Sequence, residues 1–363
     1  MLDRLHVLIM AGGSGTRFWP RSRRNFPKQL LSMTGDRTLL EQTVARVQGL
    51  GSADRVWVMT RHDLVDAVRR TLPQLSTSRL IAEPELRDTA SALVLAAARV
   101  EQVDPEAILL VLPADHSIPD ADAFCSCVRG AVDSLAIRDG LITFGIPAIQ
   151  PEVSYGYIER GDDPVPAGCT ISYAVRRFVE KPPLDEARAF VASGRFYWNG
   201  GIFIWRLPTF KNALRQHSPE HARGWERLAE LGEELSNPES TLLADRFGQL
   251  PRVSIDYALM ERAEGVRVVE ANFGWDDVGS WRALERHRAA DPGANLTEGR
   301  VLLEDCRECT VFASSDRVIA GLGLEGLVVI DTPDALLVCP RDRVDEVKKL
   351  TAGLAERAWD DVL

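Results

Sequence analysis

Long hydrophobic runs are missing from this chain of 363 residues. The most apolar stretch, residues 327–339, is interrupted by two aspartates and a proline, whereas a membrane span needs about 20 apolar residues. Residues 1–10 read as a strand that includes Asp3, Arg4 and His6, so the apolar core of a secretory signal is not expected there. The sequence therefore predicts a protein with no membrane partner.

A basic surface is also missing, since 53 acidic residues outnumber 43 lysines and arginines and leave a formal charge of -10. Nucleic acid rewards positive charge, so it is not an expected partner. The six cysteines are scattered without a disulfide framework, which favours free thiols in the cytoplasm. Cys306 and Cys309 have no second pair at zinc-ligand spacing, and Pro219 spoils the helical geometry that His217 and His221 would need for a metal.

Short apolar runs alternate with helical patterns in the first part of the chain. The runs suit strands of a parallel sheet buried on both faces, at residues 5–11, 55–60, 107–112 and 141–145. Helical patterns lie at residues 38–47, 62–71 and 89–103. This alternation predicts a doubly wound, mostly parallel, Rossmann-like α/β domain, with an antiparallel extension over residues 154–206. Ligands of such sheets sit beyond the carboxyl ends of the strands.

The pattern changes after residue 290. Five short β-like runs follow, at residues 301–303, 310–313, 318–320, 327–330 and 335–339, and a helix is predicted at 344–357. The spacing admits either a β-helix or a sandwich. We therefore predict two domains, residues 1–290 and residues 291–363, the second small and rich in β-structure.

A glycine-rich loop follows the first strand, from Gly12 to Arg17. Glycines let backbone N–H groups approach phosphate oxygens, and a tight turn from strand to helix makes an anion nest. The loop matches neither a P-loop nor the dinucleotide fingerprint. By itself it is compatible with a structural turn or with a phosphate site.

Five cations follow this glycine loop: Arg17, Arg21, Arg23, Arg24 and Lys28. A triphosphate carries about four negative charges, which must be neutralised before an anionic nucleophile can approach. Arg23 and Arg24 are assigned to a solvated helix face. Arg17 and Lys28 are the candidates for a catalytic role.

Seven further motifs stand in a recognisable order after the glycine loop and its Pro27-Lys-Gln-Leu30 segment. They are Glu83-Pro with Arg87-Asp-Thr-Ala90, Pro113-Ala-Asp-His116, Tyr155-Gly-Tyr-Ile-Glu159, Val179-Glu-Lys-Pro182, Trp198-Asn-Gly-Gly-Ile-Phe203, Ser254-Ile-Asp-Tyr257 and Trp275-Asp-Asp-Val-Gly-Ser-Trp281. Together they resemble the sugar-1-phosphate nucleotidyltransferase family, and within it the mannose-1-phosphate guanylyltransferases. The resemblance spans nearly the whole chain.

The resemblance implies transfer of GMP from GTP to α-D-mannose 1-phosphate, giving GDP-mannose and pyrophosphate, with Mg²⁺ or another divalent cation as cofactor. It implies a left-handed β-helix-like second domain, a homodimer, and a monofunctional chain without an isomerase domain. Asp115 and Asp277 match the metal-binding aspartates, although Asp276 competes with Asp277. Lys181 matches the lysine that holds the sugar phosphate.

The resemblance also implies the binding residues. Sugar hydroxyls would be bound by Gly156, Glu180 and Asn199. The nucleotide-binding residues would be Ala11, Gly12, Gly13, Ser14, Gly15, Thr16, Glu83, Asp88 and Thr89. Asp256 fits a ligand contact or a structural cap equally well.

Guanine offers an N–H and an adjacent amino group, which one carboxylate can accept together, so Glu83 is the candidate for base selection. The family commonly has asparagine in place of Asp88 and proline in place of Ser91. Three alternatives stay open: another base or sugar phosphate, a non-catalytic regulatory relative, and a nucleotide-dependent kinase. The last is weakened by the missing P-loop lysine.

Overall fold

The computed structural model describes residues 1–13, 15–167 and 170–363, so Ser14 of the predicted glycine loop lies outside the described residues. The chain forms two compact units. The first comprises Met1–Gly12, Thr43–Ala114 and Ile118–Trp275, and the second comprises Gly13–Gln42, Asp115–Ser117 and Asp276–Leu363. The domain boundary predicted after residue 290 stays a prediction.

One mixed sheet of ten strands organises the described part of the first unit. In chain order the strands are β1 (Leu5–Met10), β2 (Val56–Arg61), β3 (Leu80–Glu83), β4 (Ile108–Pro113), β5 (Ile142–Pro147), β6 (Gly156–Arg160), β7 (Val165–Ala167), β8 (Thr170–Glu180), β9 (Phe196–Arg206) and β10 (Arg267–Glu270). Their order in the sheet is β3-β2-β1-β4-β9-β5-β10-β8-β6, and β7 pairs with β8.

Parallel pairing joins β3, β2, β1 and β4. The apolar runs predicted β1, β2 and β4, whereas no run was predicted at β3. Strand β9 then enters antiparallel to both β4 and β5. Strand β1 begins at Leu5, because residues Leu2–Arg4 form a 3₁₀ turn. The prediction that Asp3 and Arg4 belong to this strand is therefore wrong.

Helices cover the sheet of the first unit. They are α1 (Leu39–Val47), α2 (Val65–Thr71), α3 (Asp88–Glu101), α4 (Ala121–Ile137), α5 (Leu184–Ser193), α6 (Leu207–His217), α7 (Pro219–Ala229) and α8 (Thr241–Gly248). Helix α3 is rich in alanine and leucine and is buried along most of its length. Helix α6 ends at His217 and α7 begins at Pro219, so His217 and His221 lie on different helices.

The second unit contains short strands that pair in parallel, apart from the last, which pairs antiparallel with the strand before it. They are β11 (Leu296–Glu298), β12 (Val301–Glu304), β13 (Thr310–Ala313), β14 (Ile319–Leu322), β15 (Leu327–Asp331) and β16 (Leu336–Pro340), followed by helix α9 (Val347–Glu356). Strands β11, β13 and β15 form one parallel ladder, and β12 and β14 form another. Successive parallel rungs are those of a β-helix, whereas a sandwich is built from antiparallel strands.

Aromatic side chains form the core of the second unit. Trp281 lies edge-on to Phe18 at 5.2 Å and to Phe312 at 5.9 Å between ring centroids, and its indole N–H donates to the Trp19 carbonyl. Aromatic pairs of this kind stabilise a core beyond their buried area. The Trp-Pro segment after the glycine loop is therefore a core element of this unit.

Arg21, Arg23 and Arg24 are tied to other parts of the second unit. Arg21 donates to Glu298 Oε1 at 2.6 Å, and Arg23 donates to Asp334 Oδ1 at 2.7 Å. Arg24 pairs with Asp360 at 2.8 Å. The segment forms turns instead of a helix, and the Arg23 side chain is only 13% exposed. The predicted helix is therefore wrong for both residues, and the predicted solvation is wrong for Arg23, whereas the Arg24 side chain is 62% exposed.

No helix within residues 1–13, 15–167 and 170–363 is both long enough and apolar enough to cross a membrane. Five described cysteines carry free thiols: Cys125, Cys127, Cys306, Cys309 and Cys339. Cys169 lies outside the described residues.

Gly145 lies in β5 where the strands pack too closely for a side chain. A Cβ at this position would lie 2.5 Å from Val268 Cγ2 and 2.7 Å from Tyr197 Cβ. We expect Gly145→Ala to lower the free energy of unfolding by about 1–3 kcal/mol, because overpacking strains the sheet. Urea unfolding measures this loss. Gly51→Ala is the control, since a Cβ there meets nothing within 4 Å, and an equal loss in both variants would contradict the prediction.

Candidate active site

In the first unit, the loop after β1 lies beside the end of β3. Ala11 is buried, and its backbone N–H donates to the Met59 carbonyl at 2.7 Å. A Cβ added to Gly12 would lie 3.6 Å from Glu83 Oε2. The carboxyl ends of β1 and β3 thus bring Gly12 and Glu83 together, as expected for a ligand site at this edge of the sheet.

Glu83 is buried, with 6% of its surface exposed. Burial raises the pKa of its carboxyl to about 7, although the backbone N–H of Arg87, 3.3 Å from Oε1, opposes this shift. Perturbed carboxyl groups of this kind concentrate at functional sites. Ionised Glu83 offers a bidentate acceptor for two parallel donors.

Asp88 and Thr89 begin helix α3 beside this carboxylate. Asp88 has a positive φ of 57°, which asparagine tolerates better than most residues, and its carboxylate lies 3.6 Å from Arg252 Nε. The Thr89 hydroxyl accepts a hydrogen bond from the Ile255 N–H at 2.8 Å. Thr89 is therefore engaged in fixing the chain at Ile255.

Ser91 departs from the proline common in the family, and a buried polar network surrounds it. Its hydroxyl donates to the Pro251 carbonyl at 2.6 Å and lies 3.2 Å from His221 Nε2. His221 Nδ1 in turn lies 2.7 Å from the Ser218 hydroxyl. Because buried polar groups need partners, the serine and the histidine satisfy each other here.

A second cluster in the first unit gathers Gly156, Glu180 and Asn199. Gly156 pairs with Glu180 across β6 and β8, and a Cβ on Gly156 would collide with Glu180 Oε2 and lie 3.3 Å from Asn199 Cβ. Lys181 follows with a positive φ of 49° and donates from Nζ to Glu180 Oε1. The predicted sugar residues and the predicted phosphate lysine thus lie together.

Asp256 joins this cluster. The sequence left its role undecided between a ligand contact and a structural cap. Asn199 Nδ2 donates to Asp256 Oδ1 at 2.9 Å. Burial and the nearby Glu180 carboxylate raise the pKa of Asp256. Asp256 begins the π-helical turn Asp256–Met260, and such turns are frequent at functional sites. The Ser-Ile-Asp-Tyr motif was the only sequence signal for it.

In the second unit, the glycine loop is braced against residues 28–30. Gly15 has a φ of 59°, and a Cβ on it would lie 2.5 Å from Lys28 Cβ, so both backbone conformation and space require glycine. Gln29 Nε2 donates to the Gly13 carbonyl at 3.2 Å. Thr16 and Arg17 follow in a 3₁₀ turn, where both are exposed and Arg17 forms no ion pair with the described residues.

Lys28 brings the two predicted metal-binding aspartates together. Its side chain is 6% exposed, and Nζ donates to Asp115 Oδ2 at 2.9 Å and to the Asp277 carbonyl at 2.5 Å. Burial alone would raise the pKa of Asp115, but Lys28 and His116 outweigh it and hold this pKa below its ordinary value. Asp115 is therefore ionised at neutral pH.

Asp276 and Asp277 have different surroundings. The Asp276 carboxylate accepts from Arg286 Nε at 2.6 Å and from the Val278 N–H at 2.8 Å, and it lies 3.0 Å from His287 Nε2. Burial opposes its ionisation, but these hydrogen bonds hold the pKa of Asp276 far below its usual range. Asp277 Oδ1 accepts from the Gly279 N–H at 3.1 Å. Asp276 is thus a structural anchor, which favours Asp277 as the metal ligand.

Known proteins are similar to this chain in sequence and in fold. A family profile described as nucleotidyl transferase matches residues 6–292, and one described as MannoseP isomerase/GMP-like beta-helix domain matches residues 299–354. The mannose-1-phosphate guanylyltransferase of Escherichia coli (strain K12) is 37% identical over 356 residues, which are 96% of this chain and 73% of the relative. The chain belongs to the nucleotidyl transferase family.

Two further similarities support this assignment. A mannose-1-phosphate guanylyltransferase of Salmonella typhimurium is 38% identical over 96% of this chain and 72% of the relative. A crystal structure from Thermus thermophilus, described as a mannose-1-phosphate geranyltransferase, has a TM-score of 0.85 at 38% identity and covers 97% of this chain and 99% of that one. They confirm the predicted fold class, a nucleotidyltransferase domain followed by a β-helix.

The donor set suits a magnesium ion completed by substrate. Among the described residues, no group of three or more histidine, cysteine, aspartate or glutamate side chains could hold a metal by itself. Mg²⁺ in nucleotidyl-transfer sites is held by one or two carboxylates, with phosphate oxygens and water supplying the rest. Asp115 and Asp277, grouped around Lys28, fit that requirement.

Glu83 should make stability depend on pH. The Glu83 carboxyl has a pKa of about 7 in the folded chain, whereas its ordinary value is 4.5, so the folded chain holds this proton more tightly than the unfolded chain does. The tighter proton binding adds about 3 kcal/mol to the free energy of unfolding below pH 4.5, and this stabilisation is lost as pH rises through about 7. We expect Glu83→Gln to gain stability relative to the parent chain by that order between pH 5 and pH 8, measured by urea unfolding.

The exposed Glu106 supplies the matched control. Glu106→Gln removes one carboxylate without removing a buried one, so its stability should follow that of the parent chain at both pH values. A constant difference between Glu83→Gln and the parent chain would show that Glu83 titrates normally.

Proposed function

We propose that this nucleotidyltransferase transfers GMP from GTP to α-D-mannose 1-phosphate and releases pyrophosphate. The observation that carries the proposal is the group of Lys28, Asp115 and Asp277, in which a buried ammonium donates to one carboxylate and to the backbone carbonyl of a second aspartate. Positive side chains are required to bind a polyphosphate, and negative side chains are required to bind its metal cation. The choice of guanine and mannose is supported by the relatives, which are described as mannose-1-phosphate guanylyltransferases.

In the proposed reaction, a phosphate oxygen of mannose 1-phosphate attacks the α-phosphorus of GTP in line. A new P–O bond forms there, and the bond to the β-phosphate oxygen breaks as pyrophosphate leaves with its electron pair. A phosphate monoester has its second pKa near 6, so the nucleophile is already a dianion at neutral pH and needs no general base. Catalysis then depends on positioning and charge neutralisation.

The glycine loop and its cations would receive the triphosphate. Backbone N–H groups around Gly13 and Gly15 would donate to the phosphate oxygens. Arg17, exposed and without an ion partner among the described residues, would stabilise the leaving pyrophosphate. The Lys28 ammonium would donate a hydrogen bond to the reacting phosphates.

Asp115 and Asp277 would hold the divalent cation. When bound, the cation would withdraw charge from the α-phosphate and make its phosphorus a better electrophile. The low pKa of Asp115 keeps that ligand ionised. Lys28 would hold both aspartates in position through its two hydrogen bonds.

Glu180 and Asn199 would bind the sugar hydroxyls, and Lys181 would bind the sugar phosphate. Glu180 holds Lys181 in the structure, so the carboxylate would restrain the lysine between turnovers. A Cβ on Gly156 would collide with Glu180 Oε2, so glycine at this position lets the Glu180 carboxylate stay where it would meet the sugar. Ionised Glu83 would accept the two guanine donors.

We also infer a cytoplasmic homodimer. Free thiols at the five described cysteines suit a reducing compartment. On the β-helix strands, Leu302, Leu322, Leu336 and Val338 are more than half exposed. Leu302 and Leu322 belong to the β12–β14 sheet, and Leu336 and Val338 belong to β16 of the other sheet. Exposed apolar side chains favour self-association.

A matrix of nucleoside triphosphates against sugar 1-phosphates tests the proposal. Pyrophosphate release should be fastest with GTP and mannose 1-phosphate, because Glu83 can accept both guanine donors whereas uracil and thymine offer one. Isotope in the α-phosphate of GTP should appear in the nucleotide sugar. Preference for UTP or dTTP would contradict the assigned role of Glu83, and transfer of the γ-phosphate would contradict the reaction class.

Asn substitution at the two neighbouring aspartates should separate catalysis from stability. We expect Asp277→Asn to lower kcat roughly a hundredfold or more at ordinary Mg²⁺, with little change in unfolding. Asp276→Asn should instead lower the free energy of unfolding by about 1–3 kcal/mol, because Arg286 and His287 lose their partner. Steady-state kinetics and urea unfolding of both variants measure this split, and the opposite pattern would move the metal assignment to Asp276.

A further inference from the structure

A groove in the first unit is lined by three arginines that the proposed reaction does not use. Arg87 comes from the start of α3, Arg223 and Arg227 come from α7, and Gln249 follows α8. The groove encloses about 450 Å³ and is open to solvent. Its one lining acid is Glu220, so positive charge predominates there in a chain whose net charge is -10.

Arg223 and Arg227 stand one helical turn apart on α7, where like charges destabilise a helix unless something neutralises them. Arg223 is exposed and forms no ion pair with the described residues. Arg227 donates from Nη1 to the neutral Gln249 Oε1 at 2.9 Å. Its Nε is buried and has no hydrogen-bond partner in the described part of the chain. A buried guanidinium N–H without an acceptor costs free energy that a ligand oxygen would recover.

Arg87 also lines this groove and is held by two contacts. Its Nη1 donates to the Leu250 carbonyl at 2.9 Å, and Nη2 lies 2.8 Å from Glu85 Oε1. Glu85 is half exposed, and exposed ion pairs contribute little to stability. Arg87 can therefore exchange Glu85 for a stronger anion at small cost.

We propose that this groove, formed by Arg87, Arg223, Arg227 and Gln249, is a second anion site that binds a phosphate dianion. A tetrahedral dianion has enough oxygens for three guanidinium groups, whose planar forks match phosphate geometry, whereas a carboxylate has two. The ligand is either free phosphate or a small phosphate monoester, because the open side of the groove admits a substituent.

Occupancy of the groove is coupled to the base-binding residue, a step that rests on the proposed role of Glu83. The side chain of Arg87 lines the groove, and its backbone N–H donates to Glu83 Oε1 at 3.3 Å. Because Arg87 supplies both contacts, an anion whose binding shifts the main chain of Arg87 would weaken a donor that favours the ionised carboxylate. Phosphate should therefore weaken the binding of guanine.

Calorimetric titration with inorganic phosphate, and separately with glycerol 3-phosphate, tests the site. All titrations use the full chain carrying Arg17→Ala, which weakens the proposed triphosphate site. We expect saturable binding, and a Kd at least tenfold higher when Arg223→Ala and Arg227→Ala are added. Tighter binding of glycerol 3-phosphate would identify a monoester as the ligand, and tighter binding of inorganic phosphate would identify the free ion.

Arg215→Ala is the matched control, because Arg215 is a helix arginine of the same unit that pairs with Glu226 outside the groove. Equal weakening by Arg215→Ala, or unchanged binding in the Arg223 and Arg227 double variant, would overturn the site. If circular dichroism shows that the double variant does not fold, Arg223→Gln alone replaces it, since that side chain is exposed. Its expected effect is at least a threefold rise in Kd.

Guanosine, which carries no phosphate, tests the coupling. Saturating inorganic phosphate should raise the Kd for guanosine at least twofold in the parent chain and leave it unchanged in the double variant. If phosphate leaves the Kd for guanosine unchanged in both the parent chain and the double variant, the coupling is overturned. Failure of guanosine to bind at all would contradict the role of Glu83, whereas the anion site would still be judged by the phosphate titration.

Discussion

The structure of the second unit depends on one buried charge. The Lys28 ammonium is almost fully removed from water, a state that is costly unless the charge is paired and hydrogen-bonded. Asp115 and the Asp277 carbonyl satisfy it, and these partners belong to stretches of chain far from Lys28 and from one another. Gly15 must be glycine because the Lys28 backbone occupies the space of a side chain. The contacts of this one lysine therefore hold the loop and both aspartates together.

A different constraint links the binding residues of the first unit. The turn at residues 254–256 is tied to the start of α3 by the bond between the Ile255 N–H and the Thr89 hydroxyl, and to β9 by the bond between Asn199 and Asp256. The segment predicted to select the base and the cluster predicted to bind the sugar thus share one support. The Asp256 carboxylate serves that support, which explains why a residue with no assigned chemistry sits within a family motif.

Local pattern predicted much of this chain, and what it missed depends on contacts distant in sequence. Parallel strands β1, β2 and β4 and helix α3 were predicted from hydrophobic periodicity, within one or two residues. The insertion of β9 between β4 and β5 was not, because it pairs residues about one hundred positions apart. Arg23 looked solvated because its partner Asp334 is more than three hundred residues away. The grouping of Asp115 with Asp277 followed only from family resemblance, since neither spacing nor composition relates them.

The carboxylates of the predicted site fall into two classes set by their neighbours. Cations or several donors surround Asp115 and Asp276 and lower their pKa values, so both are fixed anions at any physiological pH. Glu83 is buried and Asp256 is partly buried, both without a cation in contact, and their pKa values are raised. Fixed anions suit the holding of cations, whether a metal or an arginine. A carboxylate with a raised pKa lacks hydrogen-bond donors around its ionised form, and a neutral ligand donor supplies them. The surroundings of Glu83 and Asp256 therefore suit a base or a sugar hydroxyl and not a metal.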